Sequence, residues 1–124
     1  IQEMDYVSLH MPLTDKTKNL INMKVLSSMR KKSIIINASR GGIINEIDLN
    51  EALNKGMIFG AGLDVFEKEP PNPNNPLLKN KKVLLSPHSA TFTEECNERM
   101  SKETIQNIID FFENKLDKTK IVKL

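Results

Sequence analysis

"SIIINASRGGIINE", residues 33–46, carries a fold signal and a chemical signal side by side. Ile34, Ile35 and Ile36 form an apolar run without alternation, flanked by Ser33 and Asn37. Such a run suits a strand of a parallel sheet covered on both faces, unlike the in-and-out pattern of a half-solvated strand. Directly after it, Arg40 stands before Gly41 and Gly42. A guanidinium beside a buried strand is costly unless something pairs with it, so this position asks for an anion.

Working outward, the flanks repeat the theme. Tyr6 to Leu9 is a short strand, Thr14 to Thr17 a polar turn, and Met23 to Met29 a short helix with Asn22 as its N-cap. On the other side, Asn45 to Asn54 is a helix that Gly56 ends. Ile58 to Val65 is a strand made close-packing by Gly60, Ala61 and Gly62. "PPNPNNP", residues 70–76, is irregular. Val83 to Leu85 is an apolar strand stopped by Pro87. Thr93 to Lys115 is a long helix with Met100, Thr104, Ile105, Ile108, Ile109 and Phe112 at spacings of three and four. Lys120 to Val122 is read as a final short strand. The alternation of strands and helices predicts an α/β fold with a parallel sheet.

Composition narrows the function classes. The 124 residues suffice for one small domain with a modest core. Charged residues are 27% and the formal net charge is +2. The lysines are scattered or grouped at Lys31-Lys32 and around Lys79 to Lys82, which describes a solvated surface and not a nucleic-acid stripe. With no Trp and a single Tyr there is no stacking platform for single strands. No apolar run approaches the roughly 18 residues that a membrane span needs. The lone Cys96 cannot form an internal disulfide, so an inert thiol in a reducing, cytoplasmic setting is expected. No metal site is expected. The opening residues, Ile1-Gln2-Glu3, read as the start of a piece of something longer.

Ligands of parallel α/β sheets bind beyond the carboxyl ends of the strands. Those ends carry His10-Met11-Pro12, Ala38 to Gly41, Asp64 to Pro70 and Ser86 to Ser89. Arg40, Asp64, Glu69 and His88 therefore converge on one edge from distant parts of the chain. Arginine offers a planar fork for a carboxylate, and histidine exchanges protons near neutral pH. A carboxylate bonded to an imidazole favours its charged form and fixes its orientation. Anion holder, acid/base and orienter make a workable set for a 2-keto or 2-hydroxy acid. Each residue also has a plainer reading. Arg40 can pair with a surface carboxylate, His88 can cap the following helix, and Asp64 and Glu69 can be solvated loop charges. His10, beside Pro12, reads as a turn residue and not an acid/base.

The stretches "DYVSLHMPLTDKTKNLIN", "SIIINASRGGIINEIDLNEALNKGMIFGAGLDVFEKEP", "NPLL" and "VLLSPHSATFTEE" resemble the D-isomer-specific 2-hydroxyacid dehydrogenases. That family includes phosphoglycerate dehydrogenase, glyoxylate/hydroxypyruvate reductase and D-lactate dehydrogenase. The resemblance covers about residues 5–115. It implies the second half of a Rossmann-type doubly wound parallel sheet at residues 1–92, and a connecting helix returning toward a substrate domain at residues 93–124. It implies Arg40 as the holder of the substrate carboxylate, Glu69 as the catalytic glutamate and His88 as the acid/base. Asp64 matches the residue that contacts the nicotinamide carboxamide. His10, Pro12, Ala38, Ser39, Arg40, His88 and Ala90 match positions lining the cofactor, NAD or NADP. Gly41 and Gly42 are read as keeping a Cβ out of the cofactor cleft. A small 2-keto or 2-hydroxy acid is the implied partner, and a homodimer the implied full-length state.

One family feature is missing. None of the five glycines forms the G-x-G-x-x-G turn that cradles a pyrophosphate. The implied function is that of an NAD(P)-dependent oxidoreductase whose present chain is inactive alone. A non-catalytic remnant and a corepressor-like interaction protein of the same fold are the alternatives.

Overall fold

The computed structural model describes residues 1–121, which form two units, one from Ile1 to Ser89 and one from Ala90 onward. The first unit is built on four parallel strands: β1 (Tyr6–Leu9), β2 (Ile34–Asn37), β3 (Gly60–Leu63) and β4 (Val83–Leu85). They lie in the order in which they occur in the chain. Leu9, Asn37, Leu63 and Leu85 stand in one row, so all four strands finish at one edge. Helix α1 (Met23–Ser28) crosses from β1 to β2, and α2 (Glu46–Asn54) from β2 to β3. The last crossover is a long loop with one 3-10 turn, Pro76–Lys79.

Caps fix the helices where the sequence places them. The Asn22 side chain accepts from the Val25 N–H at the start of α1. Asn45 accepts from the Asp48 N–H at the start of α2. Past its far end Gly56 has φ +65°, the left-handed residue that closes a helix. Two termini are tighter than expected: Met29 caps α1 from outside, and Asn45 stands before α2. The Ile58 to Val65 strand contracts to Gly60–Leu63. Ile58 and Val65 are still buried, so their apolar character serves packing and not the ladder.

The core lies on one face of the sheet. Leu26, Ile35, Ile43, Leu49, Leu53 and Leu77 are wholly buried there, with α1, α2 and the 3-10 turn over them. The expectation that the isoleucine run is covered on both faces is corrected. Ile35 is buried, but Ile36 is 37% exposed and Leu84, in the same row, 81%. Among the described residues both crossover helices pack on the same side, because both bury their stripes in a single cluster.

The second unit contains α3 (Glu94–Phe112). Thr93 caps it by accepting from the Cys96 N–H. Asn114, with φ +57°, ends it before Lys115, so the helix is shorter at both ends than the Thr93 to Lys115 span. None of its residues is buried within the described chain. Lys120 belongs to a 3-10 turn, Lys118–Lys120, and not to a strand; Val122 lies outside the described residues.

Candidate functional site

The carboxyl edge of the sheet gathers the side chains that the sequence singles out. His10, Ala38, Asp64 and Ser86 are the first residues past β1, β2, β3 and β4. Adjacent strands run about 4.8 Å apart, so these four ends span roughly 15 Å.

Asp64 is the buried member, with 6% exposure. Its Oδ1 accepts from the Ser86 hydroxyl at 2.5 Å and from the Ser89 N–H at 2.8 Å. Its carbonyl accepts from the His88 N–H at 2.9 Å. Asp64 therefore grips the loop after β4 on both sides of His88. That loop holds His88 in the left-handed region, φ +53°, a conformation that costs about 1–3 kcal/mol and persists only where the surroundings impose it.

His88 Nδ1 lies 2.7 Å from Glu69 Oε2. The other oxygen, Oε1, accepts from the Phe66 N–H at 3.0 Å. The bond from His88, then the one from Phe66, hold the Glu69 carboxyl below the ordinary glutamate value. An ionised carboxylate only accepts, so Nδ1 carries the proton of this bond, and Nε2 is the ring nitrogen outside it. The capping role considered for His88 does not arise, because Thr93 caps α3. Asp64, Phe66, Glu69, Ser86 and His88 line a cavity of about 430 Å³ whose remaining wall is apolar, with Leu78 and Leu85 among its residues.

Arg40 is exposed, so the cost of a buried charge does not apply to it. Its Nη1 donates to its neighbour, the Ser39 carbonyl, at 2.7 Å. Among the described residues no carboxylate lies within ion-pair distance of it. The turn that carries it is set by Asn37, 2% exposed. Asn37 donates to the Arg40 carbonyl at 2.9 Å and accepts from the Ser39 N–H and hydroxyl. The reading of Gly41 as an open-cleft residue is corrected. A Cβ there would overlap the Phe66 carbonyl, so Gly41 lets the β2 loop press on the β3 loop. Gly42, at φ +81°, completes the turn.

His10 is exposed and its Nε2 bonds the Ser8 hydroxyl at 2.8 Å, apart from the His88 pair. Pro12 is exposed nearby in sequence, and its carbonyl accepts from Thr17. Ala90 opens the second unit. The residues that sequence reasoning passes over are the braces: Asn37, Ser86, Ser89 and Glu46. An Asn directly after an apolar strand is the only local signal among them, an Asx turn in waiting.

Comparisons with known proteins point to one family. The family model "D-isomer specific 2-hydroxyacid dehydrogenase, NAD binding domain" matches residues 1–90. A glyoxylate reductase of Korarchaeum cryptofilum is 44% identical over 111 residues, 90% of this chain and 33% of that protein. A glyoxylate/hydroxypyruvate reductase B of an Enterobacter species is 42% identical over 118 residues, 95% of this chain and 36% of that one. The NAD-complexed D-isomer specific 2-hydroxyacid dehydrogenase of Lactobacillus delbrueckii ssp. bulgaricus superposes with a TM-score of 0.84 at 31% identity, over 98% of this chain and 40% of that chain. An acyclic imino acid reductase in complex with NADPH and D-Arg gives 0.85 at 33% identity, over 93% and 36%. The chain thus spans about a third of the length of the curated relatives it matches.

Proposed function

The chain belongs to the D-isomer specific 2-hydroxyacid dehydrogenase family, and we propose on that footing that the longer protein interconverts a small 2-keto acid and its D-2-hydroxy acid with NAD(H) or NADP(H). Residues 1–92 are read as the second half of its cofactor domain, and the segment from residue 93 on, which contains α3, as the connection leading back toward the substrate domain. The observation that carries the reading is the His88–Glu69 pair at 2.7 Å, held on the same sheet edge as an exposed arginine without an acidic partner among the described residues. Relatives named glyoxylate reductase and glyoxylate/hydroxypyruvate reductase favour a two- or three-carbon keto acid.

The residues fit one end of a nicotinamide dinucleotide. The strand ends, with His10, Pro12, Ala38, Ser39 and Asp64, offer backbone and polar groups for the nicotinamide half. The glycine turn that would hold a pyrophosphate has no counterpart in these 124 residues. When bound, the cofactor supplies or accepts the hydride. Arg40 uses the fork left over from its Ser39 contact to take the substrate carboxylate at two points. Arg40 and His88 leave strands two places apart, about 10 Å at the ladder spacing, a gap that an arginine side chain and a short keto acid fill together. In reduction His88 Nε2 gives its proton to the carbonyl oxygen; in oxidation the neutral imidazole takes it back from the hydroxyl. Glu69 orients the ring and stabilises its charged form.

The test uses the full-length protein and assays 2-keto acid reduction. His88→Gln and Arg40→Ala are each expected to lose about 100-fold or more, the scale of a removed acid/base. A change of less than about threefold in both would overturn the assignment.

A further inference from the structure

The outward stripe of α2 is bonded to the segment that carries Glu69. Glu46, Asn50 and Asn54 stand at i, i+4 and i+8, on one helix face. The Asn80 amide donates to Asn50 Oδ1 at 3.0 Å and to Asn54 Oδ1 at 3.3 Å, and Lys82 Nζ donates to the Leu53 carbonyl at 2.6 Å. Those contacts hold the far end of the crossover before β4. Glu46 holds the near end. Its Oε1 accepts from the Glu67 N–H and its Oε2 from the Asn75 amide, both at 2.6 Å.

The Glu67 N–H belongs to the peptide group whose carbonyl is that of Phe66. Gly41 presses on this same group, leaving no room for a Cβ. The neighbouring N–H, that of Phe66, is the one Glu69 Oε1 takes. Two carboxylates therefore capture two successive N–H groups of a single turn. One comes from α2; the other goes on to His88 through its second oxygen. The Glu46 charge is itself favoured in the first turn of α2, where the helix dipole is positive.

We propose that Glu46 is a positioning residue for the acid/base pair: by clamping the Phe66–Glu67 peptide it fixes the turn from which Glu69 reaches His88. This rests on the reading of His88 and Glu69 given above. Without the clamp the turn moves as a unit, and Glu69 meets His88 at variable distance and angle. Substrate and cofactor still bind, because the two oxygens of Glu46 go to the Glu67 N–H and the Asn75 amide and not to a residue assigned to hold either ligand. The signature is a loss in kcat with KM preserved.

The experiment compares Glu46→Ala, Glu46→Gln and Asn50→Ala in the full-length protein. Glu46→Ala is expected to lower kcat about tenfold, less than the ~100-fold that ångström-scale misplacement of reacting groups can cost. KM for the keto acid and for the reduced cofactor should stay within about twofold. Glu46→Gln keeps an oxygen for the Glu67 N–H and should retain kcat within about threefold, although it loses the helix-start charge as Ala does. Asn50→Ala cuts the far end of the stripe and should lower Tm while leaving kcat alone. Equal kcat losses in Ala and Gln would assign the effect to charge and overturn the proposal. So would an unaffected Glu46→Ala, or an Asn50→Ala that loses as much. If Glu46→Ala fails to fold, Glu46→Asp replaces it: the charge remains, one methylene short of the turn, and the same kcat loss is expected. A wild-type protein inactive on 2-keto acids brings down the functional reading, and this inference with it. An active wild type with an indifferent Glu46 brings down the inference alone.

Discussion

A Cβ at Gly41 would overlap the Phe66 carbonyl, so Gly41→Ala has to push apart the loops that follow β2 and β3. Overpacking against backbone is hard to relieve, and we expect a loss of about 3 kcal/mol, read from urea unfolding of the full-length protein. Glu69 gives a pH signature of known sign. Its folded pKa is depressed, by the His88 bond first and the Phe66 N–H second. Its stabilisation is therefore present above the ordinary glutamate value of about 4.3 and is lost as pH falls through the lower folded value. The stability gap between wild type and Glu69→Gln should hold above about pH 4.3 and close below it; a gap that widens in acid would contradict the bond. At this scale the sequence tells which residues reach the edge, because each follows a strand. It does not tell what steadies them. Asp64 meets Ser86 and Ser89 across more than twenty residues, and Glu46 meets Glu67 across as many. A single hydrogen bond of that reach leaves no periodic trace. Glu46 looks like an ordinary helix-start charge until Glu67 is seen beside it.

Helix ends are the most legible elements, because caps are local chemistry. Asn22, Asn45 and Thr93 each accept from an N–H three residues on, as side chains of that kind do. Asn45→Ala should cost about 1 kcal/mol, and a melt of the full-length protein will show it. Gly56→Ala tests the other end of α2. Nothing lies within 4 Å of a Cβ there, so the cost is purely that of φ +65°, about 1 kcal/mol. Strands are less legible. Ile58 and Val65 look like strand residues because both are buried, yet neither belongs to β3. Burial and ladder pairing are separate demands, and a pattern of apolar residues reports only the first. The isoleucine run shows the same ambiguity, since its content is right for a doubly covered strand while only one face is covered among the described residues.

At the scale of the molecule, the parallel order β1 to β4 explains why residues as distant as Arg40 and His88 arrive together: every right-handed crossover returns to the same edge. The same order leaves Tyr6, Ile36 and Leu84 exposed on the uncovered face. The 124-residue chain prepared by itself should bind a hydrophobic dye and sediment above monomer mass; a dye-silent monomer would contradict this. Lacking a pyrophosphate cradle, it should also bind NADH more weakly than low micromolar, which a fluorescence titration will report. The two margins of the sheet are not alike. Beyond β4 the ladder is short, three residues between a lysine pair and Pro87, and poorly suited to receive a neighbour. Beyond β1 the strand is four residues long, has no proline, and turns the N–H and C=O groups of alternate residues away from β2. A sheet made this way has a finished side and a growing side. A strand that paired with Tyr6–Leu9 would bring one of its ends beside His10, the residue that follows β1, on the same edge that carries Arg40 and His88.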